Sequence, residues 1–321
     1  MLTRRDTLIG AAAAGAVLRS RAGLAKAAQP ATAVNFDMPP GACDCHTHIH
    51  GESAKFPFFS GRVYTPEQAL PTEMAALHQA LHIQRVVIVT PSVYGTDNSA
   101  TLYGMEARGK DARGVAVIDD KTGEGDLDKM GAAGIRGIRL NLSTGGVNDP
   151  NVGRQRFQAA ADRMKKRNWH VQMYTNLAVI TGIKDLVLNS PVPVVFDHFG
   201  GTEAARGLEQ PGWSDLVELV RSGKAYVKIS GAYRASTRGP DYPDVVPFAK
   251  ALIAANPDRV VWGTDWPHPD SSSGKPPSEL SPLHQIDDGR LLNQLAVWAP
   301  DPAVRKKILV DNPVRLYGFA A

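Results

Sequence analysis

From residue 42 onward, short β-branched runs alternate with helical patterns eight times, a rhythm that few architectures can absorb. The strand candidates are 42–48, 85–90, 113–118, 135–142, 169–175, 193–198, 225–230 and 259–264. Helical patterns lie near 72–82, 98–109, 125–133, 154–168, 176–189, 212–222, 243–255 and 288–299, with a last one near 302–310. Each strand–helix–strand step is the unit of a parallel sheet, and eight in succession predict a single (β/α)8 TIM barrel with its active site at the C-terminal ends of the strands. An open doubly wound sheet is the alternative, but no Gly-rich fingerprint follows the first strand. Two long stretches, 49–71 and 268–286, follow strands one and eight. Both emerge at the C-terminal mouth, where loops of this length often act as lids.

Residues 1–27 stand outside this rhythm. Thr3-Arg4-Arg5-Asp6 precede an Ala-rich apolar run from Leu8 to Leu18, and Leu24-Ala25-Lys26-Ala27 supplies a small-residue cleavage site. Charge, apolar core and cleavage site in that order read as a secretory leader with a twin-arginine pair, which implies a periplasmic protein. Thr7 and Ile9 depart from the residues usual after such a pair. The run is too short to span a bilayer, which needs about 20 apolar residues, so no membrane association is expected once the leader is removed. The barrel is then assigned to residues 28–321.

The leader also carries the basic character. It holds five of the chain's 36 Lys and Arg and one of its 32 Asp and Glu, leaving 31 of each sign in the remainder. A neutral body gives no argument for nucleic-acid binding and points instead to a small-molecule partner. Cys43 and Cys45, the only cysteines, lie two apart on one strand. That spacing suits neither a disulfide nor, without a second pair, a zinc ribbon, so both read as small buried hydrophobes.

The strand ends supply a consistent set of polar groups. His46 and His48, at positions i and i+2 of strand one, point to the same face. Strand six ends in Asp197-His198 and strand eight in Gly263-Thr264-Asp265. Any one histidine has even odds of being a satisfied core residue. Four groups at C-terminal strand ends argue for a site built from His46, His48, His198 and Asp265. His78, His82, His170 and His284 fall elsewhere and read as structural or exposed.

His46-x-His48, His198 and Gly263-Thr264-Asp265 resemble the amidohydrolase superfamily. More narrowly, the chain resembles the branch containing 2-pyrone-4,6-dicarboxylate lactonase and related sugar-lactone hydrolases. The carriers are Asp44 to Ile49, Tyr64-Thr65-Pro66, Gly137-Ile138-Arg139-Leu140-Asn141, Asp197-His198, Ser230-Gly231-Ala232-Tyr233-Arg234, Gly263 to Pro269, and Asn312-Pro313-x-Arg315-Leu316-Tyr317-Gly318. A binuclear site in that superfamily takes a Lys or Glu bridge from strand four and a His from strand five. Strand four here ends in Arg139-Leu140-Asn141, and strand five reads Val171-Gln172-Met173-Tyr174-Thr175. The resemblance therefore implies catalysis without a metal cofactor. A single zinc on His46, His48, Asp265 and His198 is the alternative.

The resemblance implies a hydrolase that opens a carboxylated lactone of the 2-pyrone dicarboxylate or aldaro-lactone type. Asp265 would activate water, its pKa raised by apolar walls, and His46, His48 and His198 would polarise the carbonyl. Arg139 and Arg234 suit capture of substrate carboxylates, with Tyr64, Tyr174 and Ser92 as hydrogen-bonding partners and Tyr94 as a further contact. Arg136 reads as structural, and His268 either stands beside Asp265 or braces its loop. The alternatives are a zinc-dependent lactonase or decarboxylase, an aldaro-lactone isomerase, and a non-catalytic periplasmic binding protein. Retention of Asp265 with all three histidines speaks against the last.

Overall fold

A computed structural model of the chain describes residues 27–271 and 274–320; the leader proposed for residues 1–27 therefore lies, apart from Ala27, outside the described residues. Eight parallel strands form one sheet in sequence order: β1 Cys43–Thr47, β2 Arg85–Val89, β3 Ala112–Ala116, β4 Ile135–Asn141, β5 His170–Tyr174, β6 Val194–Phe196, β7 Ala225–Ser230 and β8 Val260–Gly263. The sheet closes on itself where Thr47 bridges Trp266 in parallel register. Just beyond the last strand, the Asp265 N–H donates to His46 O at 2.9 Å and the His48 N–H to Trp266 O at 2.8 Å. The chain is thus a (β/α)8 barrel, and the open-sheet alternative is excluded.

Three of the surrounding helices begin at a side-chain cap. Asp149 accepts from Asn151 N at the start of α4 (Pro150–Met164), the fourth of the barrel helices after α1 (Pro71–Ala80), α2 (Ser99–Arg108) and α3 (Glu124–Ala132). Asn176 caps α5 (Leu177–Gly182) in the same way. The expected helix over 176–189 is broken at Ile183, and α6 (Lys184–Leu188) follows; Gly182 packs so tightly that a Cβ there would lie 2.4 Å from Pro150. In α7 (Trp213–Arg221), Trp213, Leu216, Leu219 and Val220 form the buried stripe that a 3.6-residue period requires. After α8 (Val246–Ala255) and α9 (Asp288–Trp298), the last helical region runs to Tyr317 rather than ending near 310. It passes through a wide π turn at Lys307–Asp311, which accommodates Pro313 and its missing N–H.

The barrel interior has two parts. Cys43 and Cys45, both free thiols, pack with Val87, Val89, Val115, Val195 and Val261, and Tyr317 and Phe319 close this apolar part. Above it the interior turns polar. The change of character is made within β1, whose register against β2 slips between Asp44 and Thr47. An extra residue in one strand of a pair bends it and re-aims its side chains, so His46 follows Cys45 into the same interior.

The two long loops are joined. Thr65–Pro66 and Leu280–Ser281 form a short parallel ladder, and the Thr65 hydroxyl and the Arg62 guanidinium both donate to Pro277 O. Among the described residues, no helix is long and apolar enough to cross a membrane.

Closure depends on how near β1 and β8 can approach. A Cβ on Gly263 would lie 2.7 Å from His46 N and 2.8 Å from His46 Cβ. Gly263→Ala is therefore expected to cost about 1–3 kcal/mol through overpacking, read as a lowered urea midpoint at unchanged slope.

Candidate active site

Three imidazoles and a carboxylate meet at the seam between β1 and β8. Oδ1 of Asp265 lies 3.6 Å from Nε2 of His46, 3.6 Å from Nε2 of His48 and 3.8 Å from Nε2 of His198. All four side chains are buried. Asp265 holds a left-handed backbone (φ 67), which turns its carboxylate back over the barrel mouth. His198 stands just past the end of β6, not within the strand as the sequence suggested, and also adopts φ 46. Gly231 completes the corner: a Cβ there would lie 2.9 Å from His198 Nδ1 and 3.3 Å from Asp265 Oδ2.

Each group is held by its other atoms. Oδ2 of Asp265 accepts from the Tyr233 hydroxyl at 2.6 Å and from Nε of Arg234. Nδ1 of His48 lies 2.7 Å from Val89 O, a pure acceptor, so that nitrogen carries the proton. Nδ1 of His198 lies 3.0 Å from Ser230 Oγ. Behind His46, Asp197 accepts at Oδ2 from Nε of Arg139 and Nε2 of Gln172, each at 3.0 Å. Lys228, fully buried on β7, donates to Cys45 O at 2.8 Å and to Gln172 Oε1 at 2.7 Å, and lies 3.2 Å from His46 Nδ1.

The electrostatics correct one expectation. Burial does raise Asp265, but the Arg234 guanidinium, followed by His198 and His48, outweighs it and holds the carboxyl well below the usual range. Burial is likewise overcome at Asp197, by His46, Arg139 and Lys228. Burial lowers all three site imidazoles, His198 to about 4, and at His46 the Lys228 ammonium adds to it. The cluster is therefore a carboxylate among neutral imidazoles.

A tight cavity of about 20 Å³ opens beside it, lined by His48, Tyr64, Ser92, Arg139, Tyr174, His198 and Arg234, with Pro269 and Ser271 from the second loop. Five of the six residues expected to contact substrate lie on this wall, Tyr94 being the exception. Arg139 spends Nε on Asp197 and stacks its guanidinium 5.2 Å from the Tyr174 ring centroid, which leaves its terminal nitrogens for a ligand. A larger hollow of about 530 Å³ near Asn176, Arg206 and Asp215 touches none of the converging groups. Tyr94 instead accepts from Gly51 N, Arg136 donates to Gly131 O and Ile135 O, and His268 pairs with Asp288 at 2.9 Å, bracing its loop.

Sequence reasoning assigned no role to Lys228, Asp197, Gln172 or Tyr233. Lys228 carried a signal: a lone charge inside the apolar run Ala225 to Ile229, on a strand of a sheet covered on both faces.

His46, His48 and Asp265 turn donor atoms on one another within metal-ligand reach. Among the described residues, Asp265 Oδ1 is buried without a hydrogen-bond partner. This donor set fits one divalent ion, with His198 as a fourth ligand. His46, Asp197 and His198 form a second such group that shares His46, while β4 and β5 turn Arg139 and Tyr174, neither a bridging carboxylate nor an imidazole, to the cavity.

Residues 43–319 match the family described as amidohydrolase. A 4-sulfomuconolactone hydrolase of Rhizobium radiobacter is 36% identical over 288 residues, covering 89% of this chain and 92% of that protein. A 2-pyrone-4,6-dicarboxylate hydrolase of Comamonas testosteroni is 33% identical, covering 88% and 92%. A D-galactarolactone isomerase of Agrobacterium fabrum is 31% identical, covering 89% and 94%. A ligand-free Agrobacterium tumefaciens crystal structure superposes with a TM-score of 0.75 at 29% identity, covering 90% of this chain and 99% of that one.

The buried imidazoles make stability depend on pH. A histidine whose folded pKa is depressed binds its proton first in the unfolded chain, so stability is complete above the unfolded value and is lost as pH falls toward the folded one. For His198 that window runs from 6.5 down to about 4, and for the buried His170 from 6.5 to about 3. The urea midpoint is expected to fall steadily between pH 6.5 and 4, and His170→Gln to flatten that slope. An unchanged slope in the variant would remove His170 from the account.

Proposed function

Because the chain belongs to the amidohydrolase family, we propose that it hydrolyses the ring ester of a small lactone that carries anionic substituents. The observation that carries this reading is the adjoining of two parts. A carboxylate faces three imidazoles, and beside them a small cavity presents Arg139, Arg234, Tyr64, Tyr174 and Ser92. The relatives that share this chain's length are lactone hydrolases and a lactone isomerase. A lactone bearing a carboxylate or sulfonate matches both parts, and 2-pyrone dicarboxylates and aldaro-lactones belong to that class.

In this reading Arg139 and its tyrosines hold the anionic group and so fix the ring above the cluster. Oδ1 of Asp265, the oxygen not engaged by Tyr233 and Arg234, takes a proton from water as the new C–O bond forms at the carbonyl carbon. His46 and His198, whose Nε2 atoms face the cluster, stabilise the resulting oxyanion. When the ring C–O bond breaks, the leaving oxygen recovers the proton from Asp265, and the product acid releases one to solvent. A low pKa makes Asp265 a weak base, but it keeps the carboxylate charged across the physiological range. A zinc held by His46, His48, Asp265 and His198 would supply Lewis-acid polarisation of the carbonyl and a more acidic water. The reading carried forward here has the residues alone do this work.

Isomerisation needs the same groups, with a substrate hydroxyl replacing water. The match to a galactarolactone isomerase is the reason to follow both products. A panel of anionic lactones assayed by acid release, with product analysis, tests the proposal. Asp265→Asn is expected to lose at least about 100-fold in kcat, while Arg139→Met raises KM for charged lactones roughly tenfold or more and spares uncharged ones. Undiminished turnover by Asp265→Asn would refute the role given to that residue, and an inert panel that still binds tightly would favour the binding protein.

The leader reading adds that the enzyme works in the periplasm after twin-arginine export. Replacing Arg4 and Arg5 by lysines is expected to retain the protein in the cytoplasmic fraction; unaltered export would argue against that route.

A further inference from the structure

The barrel interior below the imidazoles holds a lysine that the reaction above does not use. Lys228 aims its ammonium at Cys45 O, Gln172 Oε1 and His46 Nδ1, at 2.8, 2.7 and 3.2 Å. An ammonium has three protons and no lone pair, so each of these atoms accepts and Nδ1 of His46 is bare. The proton of a neutral His46 then sits on Nε2. There it faces Nε2 of His48 at 3.3 Å. His48 can accept it, since its own proton is committed from Nδ1 to Val89 O. Lys228, His46, His48 and the Val89 carbonyl thus form one ordered run of donors.

A metal-bound histidine is arranged the other way round. One nitrogen binds the ion and the other donates its N–H to a carboxylate, a carbonyl or water. Asp197 Oδ1 could serve as that acceptor, 3.2 Å from His46 Nδ1. Yet among the described residues this oxygen has no aligned hydrogen bond, whereas the contact from Lys228 is one. The lysine also sets a full positive charge against the ring that would have to bind a cation.

We propose that Lys228 is a positioning residue that keeps the His46 proton on Nε2, so that His46 offers a hydrogen-bond donor to the reacting carbonyl and is withheld from zinc. The carbonyl comes from the lactone reading; the proton placement and the metal preference stand without it and are measured without substrate.

Nitrogen-15 NMR of the imidazoles in the metal-free full chain tests the placement, with His46 assigned by comparison with His46→Gln. The parent is expected to carry the His46 proton on Nε2, and Lys228→Met to carry it on Nδ1, facing Asp197. Calorimetric titration with zinc alone tests the consequence. Lys228→Met is expected to bind zinc at least about tenfold more tightly than the parent, and His46→Gln in the Lys228→Met background to abolish the gain. A proton on Nδ1 in the parent overturns the proposal, as does equal zinc affinity in parent and folded variant. Should Lys228→Met fail to fold, the parent spectrum decides alone.

Discussion

Two backbone hydrogen bonds hold this molecule and its site together at once. Asp265 N–H to His46 O and His48 N–H to Trp266 O join the first strand to the segment after the last, and the residues that make them carry three of the four converging side chains. In most enzymes the scaffold can be perturbed without touching the chemistry. Here the stitch that closes the barrel also sets the spacing between the Asp265 carboxylate and the imidazoles. Asp44 reinforces it from behind, its carboxylate accepting from His46 N, Thr264 N and Thr264 Oγ1.

Around that seam the buried charges balance. Lys228, Arg139 and Arg234 stand against Asp197, Asp265 and Asp44, three cations to three carboxylates, while burial keeps the imidazoles neutral. Such charges are tolerated in a low-dielectric interior because each is paired or hydrogen-bonded. The pairing pattern also explains why Asp265 is held low instead of high. A carboxyl in an apolar pocket would resist ionisation, but one with a guanidinium on its second oxygen does not.

The eightfold alternation made the barrel legible, because a βα unit repeated in series has one economical closure. The four converging groups were legible for a related reason: a strand end in such a barrel faces the mouth whatever precedes it. Helix 176–189 was not, since its break comes from Gly182 lying against Pro150, a contact no local pattern encodes. Nor was the placement of His198, which depends on left-handed backbone at four successive residues, His198 to Gly201. Asp265 was found but its ionisation misjudged, because Arg234 reaches it from another strand's loop. Lys228 shows the limit most plainly. Its position was visible as an oddity in an apolar strand, but its meaning lies in three acceptors drawn from two other strands.

The left-handed backbone at Asp265 has a consequence for how such a site can change. At φ 67 most side chains crowd the following carbonyl, and Asn, Asp and Gly are the residues that settle there most readily. Random substitution at this address is therefore filtered by conformation before chemistry is consulted. A longer carboxylate would reach the same water only by straining the turn that stitches the barrel shut. Divergence has its freest course in the residues lining the cavity, while position 265 stays the short acid that the turn admits.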